Sequence, residues 1–138
     1  MNTLGRVLLV EDSEAIRAAF TILLEESGYE VSSAGTTDEA ISKARGEPRP
    51  DVVLLDLGLP GAGGVEVARR LKGSPATQEI PLVALTGRDS DTDRRACLDA
   101  GCAAYLVKPV DTRALIRDLP RYIARAGGEP PGPDPSPS

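Results

Sequence analysis

Val52-Val53-Leu54-Leu55-Asp56 decides how this chain folds. Four apolar residues in a row, without polar alternation, mark a short strand buried on both faces. The run ends in an acid. Behind it comes a loop carrying Gly58, Pro60, Gly61, Gly63 and Gly64, residues that stop a strand. Val65, Val67, Ala68 and Leu71 then recur at helical spacing, and Gly73 closes the helix. Strand, loop and helix form one unit, and the rest of the chain repeats it.

Upstream, Val7-Leu8-Leu9-Val10 is a second apolar run, ending in Glu11-Asp12. Ser13 is the expected N-cap of a helix whose apolar positions are Ile16, Ala19, Phe20, Leu23 and Leu24 and whose stop is Gly28. Residues 29–34 read as a strand. Thr37 or Asp38 is expected to cap a short helix through Ala40, Ile41 and Ala44, closed by Gly46. Downstream, Pro81 opens the strand Leu82-Val83-Ala84-Leu85, which ends in Thr86-Gly87. A polar helix is expected over about 89–100, stopping at Gly101. A fifth strand spans 103–107 and ends in Lys108-Pro109, and a last helix covers about 111–126. Pro120 should kink that helix or divide it near Leu119. Strands and helices in strict alternation imply an α/β fold, a doubly wound parallel sheet with helices on both faces.

The 138 residues suit one domain, which buries roughly 70% of its unfolded surface. With no Trp, one Phe and three Tyr, its core must be aliphatic. Residues 127–138 are compositionally separate: eight of the twelve are Gly or Pro and none is a large apolar residue. They read as a disordered tail or linker, leaving a folded unit over about 3–126. The chain has no histidine. That excludes a Ser-His-Asp triad, a histidine metal ligand and a phosphohistidine. Cys97 and Cys102, without another soft ligand, make a poor zinc site and read as reduced, packed thiols. A net charge of −5 argues against direct nucleic-acid binding through phosphates. No apolar run approaches the ~18 residues of a membrane helix. The start lacks signal-peptide architecture, so the expected location is cytoplasmic.

Open parallel sheets bind ligands beyond the carboxyl ends of their strands. There the sequence places Glu11 and Asp12, then Asp56, Thr86 and Lys108. Three carboxylates gathered within a few ångströms need a cation to stay ionised. Oxygen ligands without sulfur or imidazole suit Mg²⁺ or Mn²⁺. Beside such a cation Asp56 can act as a nucleophile toward phosphorus, giving an aspartyl phosphate. Lys108 and the Thr86 hydroxyl would hold the other phosphoryl oxygens. Gly58 and Gly87 leave backbone groups open to them.

These residues carry a resemblance. Val7-Leu8-Leu9-Val10-Glu11-Asp12, Val53-Leu54-Leu55-Asp56-Leu57-Gly58-Leu59-Pro60 with Gly64, Leu85-Thr86-Gly87, and Ala100-Gly101-Cys102-Ala103-Ala104-Tyr105-Leu106-Val107-Lys108-Pro109 resemble the receiver domain of bacterial two-component response regulators. The likeness covers about 3–126, with 44 residues from Asp12 to Asp56, 30 more to Thr86 and 22 more to Lys108. It implies a flavodoxin-like (βα)5 sheet in the order 2-1-3-4-5. It also implies a signalling phosphoacceptor whose only catalysis is its own phosphorylation and slow dephosphorylation. Asp56 would be the phosphoacceptor, and Glu11, Asp12, Asp56 and the Gly58 carbonyl would hold Mg²⁺. Thr86 would be the switch hydroxyl, Tyr105 the switch aromatic and Lys108 the phosphoryl counter-ion, held by a cis Pro109. Gly58 and Arg88 would border the path of hydrolytic water, with Arg88 either across the phosphoryl oxygens or pointing into solvent. The implied donor is a sensor histidine kinase or a histidine phosphotransfer protein. The implied output is a protein partner or a homodimer, met through the fourth helix, fifth strand and fifth helix. Arg94 and Arg95 would lie on that face or be plain solvated surface.

Two other readings compete. A haloacid dehalogenase-like phosphohydrolase also uses a strand-end Asp, Mg²⁺ and Lys, but it needs a general acid two residues on, where this chain has Gly58. A receiver that only binds partners and is never phosphorylated would not need the intact set of strand-end residues. Gly61-Ala62-Gly63-Gly64-Val65-Glu66 starts like a dinucleotide-binding loop but ends in Glu and follows a loop rather than a strand. No P-loop motif is present.

Overall fold

Burying Val52–Asp56 on both faces requires neighbours on both edges and layers above and below, and all four are found. A computed structural model describes residues 3–58, 63–87 and 91–124. The elements are β1 (Arg6–Val10), α1 (Glu14–Glu26), β2 (Glu30–Ala34), α2 (Thr37–Arg45), β3 (Val52–Asp56), α3 (Gly63–Lys72), β4 (Leu82–Thr86), α4 (Asp91–Asp99), β5 (Ala104–Val107) and α5 (Thr112–Ala124). Every pairing is parallel, and the order is β2-β1-β3-β4-β5. The register pairs Val10 with Ala34 and Leu55, Asp56 with Leu85, and Thr86 with Val107.

Alternate strand residues feed two cores. Leu8, Val10, Val53, Leu55, Leu82, Ala84 and Tyr105 pack against Ala40, Ile41 and Ala44 of α2, Val67, Ala68 and Leu71 of α3, and Cys97 of α4. Val7, Leu9, Val52, Leu54, Val83 and Leu85 face the other way, onto Phe20 and Leu24 of α1 and Leu115 and Leu119 of α5. This two-sided burial explains the unbroken apolar runs.

Several local expectations are corrected. The cap of α2 is Thr36, not Thr37 or Asp38. Its side chain accepts from the Glu39 N–H at 3.2 Å, while Glu39 accepts from the Gly35 N–H at 2.8 Å. This reciprocal pairing satisfies two donors at once, which a cap one residue later could not do. On α1, Ile16 and Leu23 are exposed and only Leu24 is fully buried. The apolar stripe there is wider than the seam against the sheet and α5. The α4 helix ends at Asp99, one residue before the expected end, and the first residues expected for it lie outside the described residues. Tyr29 precedes β2 rather than starting it. The α5 helix runs through Pro120 without division. Proline removes a single backbone donor, and Leu115 and Leu119 anchor the preceding turns in the core. Lys108-Pro109 is cis as expected, and Glu47-Pro48 is cis as well. The proposed tail, Arg88 and the loop residues Pro60 and Gly61 lie outside the described residues. No helix among the described residues is long and apolar enough to cross a membrane.

Candidate functional site

The strand order reverses between β1 and β3, so the crevice at their carboxyl ends is open to a ligand. Glu11 continues the ladder one residue past β1, its N–H donating to the Ala34 carbonyl at 3.0 Å. That fixes its backbone. Its side chain is buried, and its Oε2 accepts from the Ser13 N–H at 3.0 Å. Ser13 meanwhile caps α1 by accepting from the Ile16 N–H, as the sequence implies. Asp56 ends β3, equally buried, and its Oδ1 accepts from the Gly58 N–H at 2.9 Å. Asp12 is exposed beside them. One carboxylate oxygen from each of Glu11, Asp12 and Asp56 lies within 4.8 Å of the others.

Lys108 reaches this cluster from the end of β5. Its backbone N–H donates to the Thr86 carbonyl at 2.7 Å, which ties the β4 and β5 ends together. Its ammonium lies 3.2 Å from Asp56 Oδ2 and 3.5 Å from Glu11 Oε1. Thr86, the last residue of β4, is buried. Glu11, Asp12, Asp56, Gly58, Thr86 and Lys108 thus meet at one edge of the sheet. Tyr105 is buried on the α4 side of β5, with the Arg94 guanidinium 4.9 Å above its ring. Arg94 is therefore not plain solvated surface, whereas Arg95 is exposed.

Sequence reasoning missed Arg17. From the first turns of α1 its Nη1 donates to the Glu11 carbonyl at 2.7 Å, bracing the segment that carries two of the acids. An arginine six residues after an acid carries no sequence signal of its own. Only the fold of α1 back over the β1 end brings it there.

Burial, before any other cause, pushes the Glu11 carboxyl up to about 7, and Asp56 and Asp12 add to the rise against the Ser13 N–H. The donor set is all oxygen, dense in negative charge and only partly matched by Lys108, which fits a hard divalent cation. A pH dependence follows. Without divalent cations the folded state holds the Glu11 proton between about 4.5 and about 7, where the unfolded chain has lost it. That stabilisation is complete below about 4.5 and disappears as pH rises through about 7. In chelator, the melting temperature of wild type should therefore fall relative to Glu11→Gln across this window. Parallel curves for the two proteins would contradict it.

A family model described as the response regulator receiver domain matches residues 7–119. The transcriptional regulatory protein AfsQ1 of Streptomyces coelicolor is 39% identical over 121 residues, covering 88% of this chain and 52% of AfsQ1. The protein PilH of Pseudomonas aeruginosa is 34% identical over 121 residues, covering 88% of this chain and 99% of PilH. The chain spans about half the length of AfsQ1 and of several other curated relatives it matches. Among solved structures, the receiver domain of sensor histidine kinase PA1611 from Pseudomonas aeruginosa has a TM-score of 0.78 and 32% identity, covering 87% of this chain and 98% of that one. That structure holds a magnesium ion coordinated in its active-site cleft.

Proposed function

Because the chain belongs to the response regulator receiver domain family, we propose that it works as a phosphoacceptor in a two-component phosphorelay, taking a phosphoryl group on Asp56. The observation that carries this reading is the meeting of three carboxylates within 4.8 Å, with Lys108 3.2 Å from Asp56. Glu11, Asp12, Asp56 and the Gly58 carbonyl would hold Mg²⁺ or Mn²⁺. When bound, that cation supplies the positive charge that offsets the carboxylates and the incoming phosphoryl oxygens.

The chain's own part is positioning. The Gly58 N–H, donating to Asp56 Oδ1, orients the carboxylate at the strand end. A carboxylate oxygen of Asp56 attacks phosphorus, the bond from phosphorus to the donor's imidazole nitrogen breaks, and the imidazole leaves with that electron pair. Imidazole is a good leaving group, so no general acid is required, consistent with glycine at position 58. Lys108, already against Asp56, turns to the charge that gathers on the phosphoryl oxygens. The donor would be a sensor histidine kinase or a histidine phosphotransfer protein.

The signal leaves through Thr86. Its hydroxyl would move to a phosphoryl oxygen and vacate space toward Tyr105, altering the α4–β5–α5 face that a partner or a second copy meets. The packing of Arg94 on Tyr105 supports this, because it joins α4 to the ring that must move.

Intact-mass measurement with Mg²⁺ and acetyl phosphate tests the reading. One labile phosphoryl should appear, and none in chelator. Label that survives chelator, or that sits on Ser or Thr, would overturn it. Thr86→Ala should still take up the phosphoryl group but lose the coupled response. Amide exchange with and without beryllofluoride and Mg²⁺ checks this: protection in α4 and β5 should change in wild type and stay fixed in the variant.

A further inference from the structure

The end of α4 holds two thiols in contact. Gly101, at φ 104°, reverses the chain there. The Cys102 N–H donates to the Cys97 carbonyl at 3.1 Å, and the Gly101 N–H donates to the Leu98 carbonyl at 3.0 Å. This pair of bonds is the Schellman ending, which sets side by side the side chains of the third-last helical residue and the second residue beyond the helix cap. The α1 helix ends the same way at Gly28, and there the two positions are Leu24 and Tyr29, an apolar contact. In α4 they are Cys97 and Cys102, both unpaired as disulfides, with their sulfurs 2.8 Å apart.

We propose that Cys97 and Cys102 form a reversible intramolecular disulfide on exposure to a hydroperoxide, pinning the last turn of α4 to the start of β5. A disulfide needs its sulfurs about 2.05 Å apart, so closing the bond asks for less than an ångström of movement within a turn whose backbone is already set. Two further features favour the step. The Cys97 S–H donates to Cys102 in the resting pair, and the same contact brings the Cys97 thiol below the usual cysteine range while, with burial, it holds Cys102 above it, so the first proton the pair loses comes from Cys97. Cys102 also keeps a 5% exposed edge beside the exposed Gly101, enough for an oxidant of hydrogen peroxide's size.

The chemistry balances. A thiolate sulfur attacks one peroxide oxygen, an S–O bond forms, the O–O bond breaks, and the departing hydroxide takes a proton as water. The second sulfur, as thiolate, attacks the resulting sulfenic acid, an S–S bond forms, and hydroxide leaves and is protonated. Two thiols and one peroxide give one disulfide and two waters. Because the second thiol is already in contact, bridging should outrun further oxidation to sulfinic acid.

The test is to reduce the full chain, remove the reductant, expose the native protein to hydrogen peroxide, then unfold and alkylate it. The expected product is a monomer about 2 Da lighter, with no alkylatable thiol and one peptide cross-link between Cys97 and Cys102, restored to two thiols by dithiothreitol. Cys97→Ala should instead stop at a sulfenic acid on Cys102, trapped by a 1,3-diketone. If that variant fails to fold, the wild-type cross-link decides alone. Two free thiols after exposure, oxygen added to either sulfur without bridging, a bridge only between chains, or a bridge only after prior unfolding would each overturn the proposal.

Discussion

Asp56→Asn should accept no phosphoryl group from acetyl phosphate in Mg²⁺, and in chelator it should melt above the wild type. Both effects come from one carboxylate. Uptake is lost because an amide is not a nucleophile at phosphorus under these conditions. The melting temperature rises because Asp56 sits buried among Glu11 and Asp12, with Lys108 the ammonium paired to it. Above about pH 7, where Glu11 has also lost its proton, removing one of three crowded negative charges relieves about 1 kcal/mol or more, whereas the ion pair lost with it is partly kept, since Lys108 remains 3.5 Å from Glu11. Asparagine preserves the acceptor for the Gly58 N–H and turns its own N–H toward the remaining acids. Mg²⁺ should stabilise wild type more than the variant. Intact mass and thermal melts with and without chelator measure both effects. A variant that still gains one phosphoryl group would remove Asp56 as acceptor. One that melts at or below wild type in chelator would refute the crowding argument.

Gly64→Ala should lower the melting temperature. A Cβ at Gly64 would stand 2.7 Å from the Asp56 carbonyl oxygen, 2.7 Å from the Leu57 Cα and 2.9 Å from the Leu57 Cδ2. The Leu57 side chain can turn away, but two of the three contacts are backbone. Either the start of α3 or the end of β3 must move. Helix propensity favours alanine over glycine by up to about 1 kcal/mol, and overpacking against backbone costs about 1–3 kcal/mol or more. The clash wins, with a fall on the order of 5 °C. Since the end of β3 carries Asp56, phosphoryl uptake should also slow. Gly87→Ala serves as the stability control: its Cβ would meet nothing within 4 Å, and it should stay within about 0.5 kcal/mol of wild type. A Gly64→Ala melt equal to the control would refute the close approach.

Sequence by itself carried the alternation of elements, the parallel sheet, the two-sided core and the residues at the strand ends. All of these are local signals: apolar runs of one strand's length, helical spacing and the glycines that stop helices. It also carried the Gly101 stop beside Cys97 and Cys102, although the thiol contact built there went unread. What remained illegible was set by choices between distant partners. A run such as Ile16 to Leu24 says that a helix has an apolar stripe, but the width of the seam it meets decides which of those residues are covered, and Ile16 and Leu23 are left exposed. Thr36, Thr37 and Asp38 are all competent caps, and the reciprocal bond between Glu39 and Gly35 selects Thr36. The site follows the same division. Its carboxylates, hydroxyl and lysine stand at strand ends that periodicity locates. Their distances, the brace from Arg17, the burial that raises Glu11 and the Arg94 contact on Tyr105 exist only once the sheet order is set. That order depends on long-range pairing energies between whole strands, to which no single residue's spacing responds.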